Sequence, residues 1–121
     1  MELSADIFQL ANEIKGSQKI FLALGHELRQ RIILVLLWSE NQSGLDLCDI
    51  AATVGHSTGV VSRHMQILES AGIVARPRPK DSKFYSLSTD TKVVDQLLAM
   101  LSHARDFMLQ ASVESRKLID T

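Results

Sequence analysis

The sequence predicts a mainly α fold with a small β-hairpin, and three observations carry that expectation. Apolar residues recur at three- and four-residue steps along most of the 121 positions, the period of helices with one buried face. Only two short stretches, residues 73–74 and 84–87, read as strands, with the turn chemistry of PKDS between them. Two helical stretches, within residues 45–55 and 58–70, flank a turn of three or four residues, the pattern of a helix-turn-helix.

A chain of this length fits one domain, and 45% apolar residues suffice for a real core. No repeat, low-complexity tract or Pro/Gly/Ser linker marks an internal boundary, so residues 1–121 read as a single domain. The longest apolar run, IILVLLW, is far short of the ~20 residues that cross a bilayer. MELSADIF is acidic early and lacks the basic region of a signal peptide. One cysteine, Cys48, excludes an intrachain disulfide framework and fits a reducing, cytoplasmic setting.

In order, the first helix is expected over residues 4–15, with Ile7, Leu10, Ala11 and Ile14 on one face. Ser17 is placed to cap a short second helix holding Ile20, Phe21 and Leu24. ELRQRIILVLLW, residues 27–38, reads as the central core helix, its stripe formed by Leu28, Ile32, Val35 and Leu36 with Arg29 and Arg31 outside it. SENQSG is a turn. LDLCDIAATVG follows as a helix burying Leu47, Ile50, Ala51 and Val54, and Gly55 leaves it in a left-handed conformation. Ser57 or Thr58 caps the next helix, which Ala71-Gly72 ends.

That helix turns Val60, Val61, Met65 and Leu68 inward. Its other side is unlike an ordinary solvated face of Glu and Lys. It carries Ser62, Arg63 and Gln66, with His64 on the flank and the small Thr58 and Gly59 in its first turn. The strands beyond it form a wing bearing Arg76, Arg78, Lys80 and Lys83, where Pro77 and Pro79 keep the first strand short or at an edge. From His56 to Tyr85 five cations face two carboxylates, a net +3, so the remainder of a chain of net charge −1 carries −4. The last helix, about residues 89–119, shows Val94, Leu97, Leu98, Leu101, Ala104, Phe107, Met108 and Ala111 at helical spacing. At ~25–30 residues it is about 40 Å long, more than a domain of this size needs to cover itself. Its surplus apolar surface, and that of the first helix, is expected to meet another chain.

The major groove of DNA admits one helix, whose leading residues reach base edges. Arg63 suits guanine, Gln66 suits adenine, and Ser57, Thr58 and Ser62 are short enough to touch bases or phosphates. The wing cations suit flanking phosphates or the minor groove. For His64 a structural bond to a neighbouring helix and a direct phosphate contact are both open. No glycine-rich phosphate loop or recognisable catalytic group is present, which argues against an enzyme.

LGHELRQRIILVLL, LCDIAATVGHSTGVVSRHMQILESAGIV and the basic hairpin ending FYSL together resemble the ArsR/SmtB family of winged-helix repressors. The likeness spans roughly residues 20–90 and rests chiefly on Ser57, Val60-Val61-Ser62, His64-Met65, Leu68 and Ala71-Gly72-Ile73-Val74. The resemblance implies a winged helix-turn-helix with long N- and C-terminal dimerisation helices. It also implies a homodimeric transcriptional repressor that binds a double-stranded DNA operator and releases it on a signal. Dimerisation would fall to Ile7, Leu10, Ile14, Val94, Leu97, Leu98, Leu101, Ala104 and Met108.

Many family members hold metal through paired thiolates in a C-x-C-D pattern. Here Asp46-Leu47-Cys48-Asp49 offers one thiolate, and soft ions want several. Cys48 reads instead as a small residue in or near the core. A second family pattern, on the last helix, is imitated by Asp90, His103 and Asp106, but Lys92 stands where a histidine belongs and Zn²⁺ wants four ligands. No cofactor is therefore expected, and Cys48, Asp90, His103 and Asp106 remain weak metal candidates. An inducer held between the terminal helices, or none, are both open. The competing readings are a protein–protein scaffold without DNA binding and a metal-responsive repressor with a non-standard site.

Overall fold

A computed structural model describes residues 5–39 and 44–119. In chain order the elements are α1 (Ala5–Gly16), α2 (Gln18–Leu24), α3 (Glu27–Trp38), β1 (Leu45–Asp46), α4 (Leu47–Val54), α5 (Thr58–Ser70), β2 (Val74–Ala75), β3 (Phe84–Leu87) and α6 (Lys92–Ile119). They fall into two compact units, one of residues 18–93 and one of residues 1–17 with 94–121. The mainly helical, winged helix-turn-helix class read from the sequence is the one observed. Ser4, at the expected start of the first helix, and residues 40–43 of the SENQSG turn lie outside the described residues.

Unit 18–93 is built on α3, α4 and α5. Ile32, Ile50, Val61, Met65 and Leu68 are its largest wholly enclosed side chains, with Ala23, Leu36, Val54, Val74 and Tyr85 around them. The spacing of Val61, Met65 and Leu68 gives α5 one inward stripe. Val60, expected inward, is 37% exposed, because a first-turn residue one step round the helix looks past the core edge. The run IILVLLW lies on α3, the expected central core helix. It buries only its Ile32 and Leu36 side, and Leu34, Leu37 and Trp38 (89% exposed) face outward.

Local chemistry sets the helix ends. The Asp46 carboxylate accepts the Cys48 N–H at 2.7 Å and so starts α4 at Leu47, two residues later than the periodicity implied. Leu45 and Asp46 form a strand instead. Gly55 ends α4 with φ 76°, its N–H returning to Ala51 O. Ser57, of the two candidates, caps α5 through a bond from Val60 N at 3.2 Å. Gly72 (φ 79°) and the Ile73 N–H on Leu68 O at 3.0 Å close it. The Ser17 hydroxyl, expected to cap α2, donates back to Glu13 O at 2.7 Å.

The sheet has the order β1-β3-β2, both pairings antiparallel: Leu45↔Tyr85 and Asp46↔Phe84, then Val74↔Leu87 and Ala75↔Ser86. The first wing strand lies one residue later than expected. β1 anchors the wing, since β3 is held on both edges and Leu47 N adds a bond to Lys83 O at 2.9 Å.

The other unit contains α1 and α6 from Val94 onward. His103 Nδ1 meets both Glu13 carboxylate oxygens, at 2.8 and 3.0 Å. α1 has no buried residue and α6 only Met100. Ile7, Leu10, Leu97 and Ala104 are half-buried, whereas Phe8, Ile14, Val94, Leu98, Leu101, Met108 and Leu109 are exposed.

Truncating the enclosed Ile32 to Ala should lower unfolding free energy by about 2–5 kcal/mol in a denaturant titration. Leu34→Ala on the outer side of the same helix should change it by no more than about 0.5 kcal/mol.

Candidate nucleic-acid interface

α5 presents its polar side outward. Ser57, Thr58, Gly59, Arg63 and Gln66 are exposed, and Ser62 and His64 are half-buried. Among the described residues the Arg63 and Gln66 side chains make no hydrogen bond or ion pair, so five guanidinium donors and one amide stand available to a ligand. A Cβ added at Gly59 would meet nothing within 4 Å, so another surface can approach the first turn closely. Ser57 is the N-cap, yet its hydroxyl proton remains to be donated.

His64 is held from behind. Its Nδ1 lies 3.0 Å from Arg29 Nη1, 35 positions away on α3. Arg29 is only 5% exposed, against the expectation that it lay outside the apolar stripe. It donates from Nε to Ala23 O at 3.0 Å and from Nη2 to Leu22 O at 2.7 Å, carbonyls of the last turn of α2. A cation at a helix C-terminus satisfies orphan carbonyls and the dipole together. Gln30 Nε2 adds a bond to Leu24 O at 2.7 Å, and Arg31 Nη2 reaches Val54 O, the last residue of α4, at 3.0 Å. Three consecutive α3 residues therefore close the ends of two other helices.

The spacing of Arg29 to Ile32 and Leu36 already places it on the inner face of α3, a signal that its charge obscured. His26 is the N-cap of α3, its Nδ1 accepting from Leu28 N at 3.1 Å, and its ring lies 4.7 Å from that of His64. Burial, then His26, Arg29 and His56 nearby, push the His64 pKa down.

In the wing, Lys80 and Lys83 are exposed, with no hydrogen bond or ion pair from their ammonium groups among the described residues. Arg78 stands 4.0 Å over the Phe84 ring. Arg76 is engaged within the unit: Nε donates to Glu69 at 2.7 Å and the guanidinium lies 5.1 Å over Tyr85. The Glu69 bond, foremost, raises its pKa. Arg76 thus ties the wing to α5.

The weak metal candidates are not brought together. Cys48, expected in or near the core, is exposed, because α4 starts at Leu47 and buries Ile50, Ala51 and Val54 on its other side. Asp90 accepts Lys92 N at 3.0 Å, opening α6, and His103 pairs with Glu13. Asp106 shares a polar cleft of about 290 Å³ with His103, Asp6 and Gln9. Among the described residues no group of three or more His, Cys, Asp or Glu is placed to hold a metal ion.

Residues 28–76, from α3 through β2, match the model of the bacterial regulatory protein, arsR family. Over 80 residues the chain is 28% identical to the "Putative arsenical resistance operon repressor ArsR2" of Halobacterium salinarum, a match covering 66% of each. The chain thus spans just under two thirds of that relative's length. A solved structure of a mutant S. aureus MepR aligns over 95% of this chain and 85% of that one, with 18% identity and a TM-score of 0.45.

A histidine whose folded pKa is depressed binds its proton more readily in the unfolded chain. Its contribution to stability is complete above the ordinary 6.5 and is lost as pH falls below that value toward the depressed one. The urea midpoint should therefore fall more steeply below about pH 6.5 in the native chain than in His64→Gln, as measured by denaturation at a series of pH values.

Proposed function

We propose that this chain, a DNA-binding transcriptional regulator of the ArsR family, acts as a dimeric repressor whose α5 enters the major groove of its operator. The observation that carries the reading is the outward side of α5: short hydroxyls and a glycine in the first turn, then Arg63 and Gln66 with unused donors. The wing supports it with Lys80, Lys83 and Arg78 on flanking phosphates or in the minor groove. Arg76, expected to touch DNA as well, is better placed to orient the wing through Glu69 and Tyr85.

Residues 1–121 act as one functional domain in this reading, with α1 and α6 joining two copies. Val94, Leu98, Leu101 and Met108, with Ile14 on α1, are exposed apolar side chains that a second copy would cover. Two copies bring two α5 helices to half-sites about one DNA turn apart. A groove of about 600 Å³ lined by Phe8, Gln9, Asn12, Glu13, Gln96 and Ala99 offers a small-molecule inducer a place. Such a regulator works in the cytoplasm. No helix of the described residues is long and apolar enough to cross a membrane.

The test is selection of binding sites from random duplex DNA, followed by mobility shifts over a salt series. Arg63→Ala should cost about 1–3 kcal/mol on the selected site and relax one base position. Lys80→Ala should weaken all sequences alike and reduce the salt slope by about one. Binding that is weak, indifferent to sequence and insensitive to salt would favour the scaffold reading. Sedimentation at micromolar concentration should give the mass of two chains, and Leu98→Glu should yield one.

A further inference from the structure

Arginine carries only N–H groups and no lone pair. The 3.0 Å approach of Arg29 Nη1 to His64 Nδ1 is a hydrogen bond only if that ring nitrogen is bare, which places the imidazole proton on Nε2. Arg29 cannot turn aside, because Ala23 O and Leu22 O hold its other nitrogens inside the unit. The same logic applies to His26, whose Nδ1 accepts a backbone N–H. Two imidazoles with centroids 4.7 Å apart resemble half of a metal site. Yet a ligating Nε2 must be bare, which would put both protons on Nδ1 atoms that already face donors. The pair is therefore no chelate, and its chemistry lies in the tautomer.

We propose that Arg29 is a positioning residue of the DNA-reading face: it fixes His64 as the neutral, Nε2-protonated imidazole, so that α5 offers the operator a directed N–H donor. This rests on the reading of α5 as the recognition helix. Protonating His64 would put a proton on Nδ1 against the guanidinium, breaking the bond and setting two cations side by side. The groups that face the ring are Arg29 on α3, His26 ahead of α3 and His56 ahead of α5, and none is an acid. Arg29 thereby separates two functions on neighbouring residues. Arg63 supplies charge, and His64 supplies direction without adding to the sequence-independent attraction of phosphates.

The ¹⁵N imidazole spectrum of the free, full-length protein tests the first step without DNA. His64 should show the Nε2–H tautomer and stay neutral as pH falls through about 6.5. An Nδ1–H tautomer, or ordinary titration, overturns the proposal. On adding the selected duplex, the His64 Nε2–H resonance should shift and become protected from exchange, and an unchanged resonance overturns the positioning role. In Arg29→Gln, folded as judged by its amide spectrum, His64 should charge on acidification. Random-sequence duplex should then bind about tenfold tighter at about pH 5.5 than at about pH 7.5, with the salt slope steeper by about one. Adding His64→Gln should abolish that gain. A gain equal to that of the native chain, or one that survives His64→Gln, counts against the proposal. If Arg29→Gln does not fold, the two spectra of the native chain decide. A locked tautomer in a protein that binds no duplex would show that the DNA reading failed, not the Arg29 bond, and the positioning role would go with it.

Discussion

The guanidinium of Arg29 is the constraint on which unit 18–93 turns. A cation enclosed among apolar helices is costly unless each N–H finds an acceptor. Here the acceptors are two carbonyls at the end of α2 and an imidazole on α5. Those three partners fix where α2 stops, how α3 lies against it and which way α5 faces. A hydrocarbon side chain would fill the same space and specify none of this.

The bond also divides α5 into two sides with different tasks. Val61, Met65 and Leu68 hold the helix in the core. Thr58, Gly59, Arg63 and Gln66 face outward. His64 lies between, bonded on one side and half-exposed. The wing is arranged in the same manner, with Arg76 drawn onto Glu69 and Tyr85 while Lys80 and Lys83 remain outward. In both places one basic residue, Arg29 or Arg76, is bonded within the unit, while Arg63, Lys80 and Lys83 stay exposed. Counting positive charges along the chain does not make that distinction.

Much of this was legible without coordinates. The stripe of α5, its Ser57 cap, the left-handed Gly55 and the Ala71-Gly72 stop all depend on residues within one or two turns of each other. Strand β1 has no signal of its own, because two residues are too few to show a period and the apolar pattern of α4 runs through them. Cys48 reads as a core residue by type alone, although the stripe of Ile50, Ala51 and Val54 leaves it on the outer side. Arg29 reads as an outer residue by its charge, although its spacing to Ile32 and Leu36 marks the inner face.

The amino-acid sequence by itself determined the order of helices, the helix-turn-helix, the wing and the donor-rich side of α5, since periodicity, caps and turns are short-range properties of the chain. Only the tertiary structure decided which basic groups are enclosed, which side chain meets the His64 ring and which strand braces the wing. Those outcomes require groups tens of residues apart to meet at hydrogen-bonding distance, and no local pattern encodes that meeting.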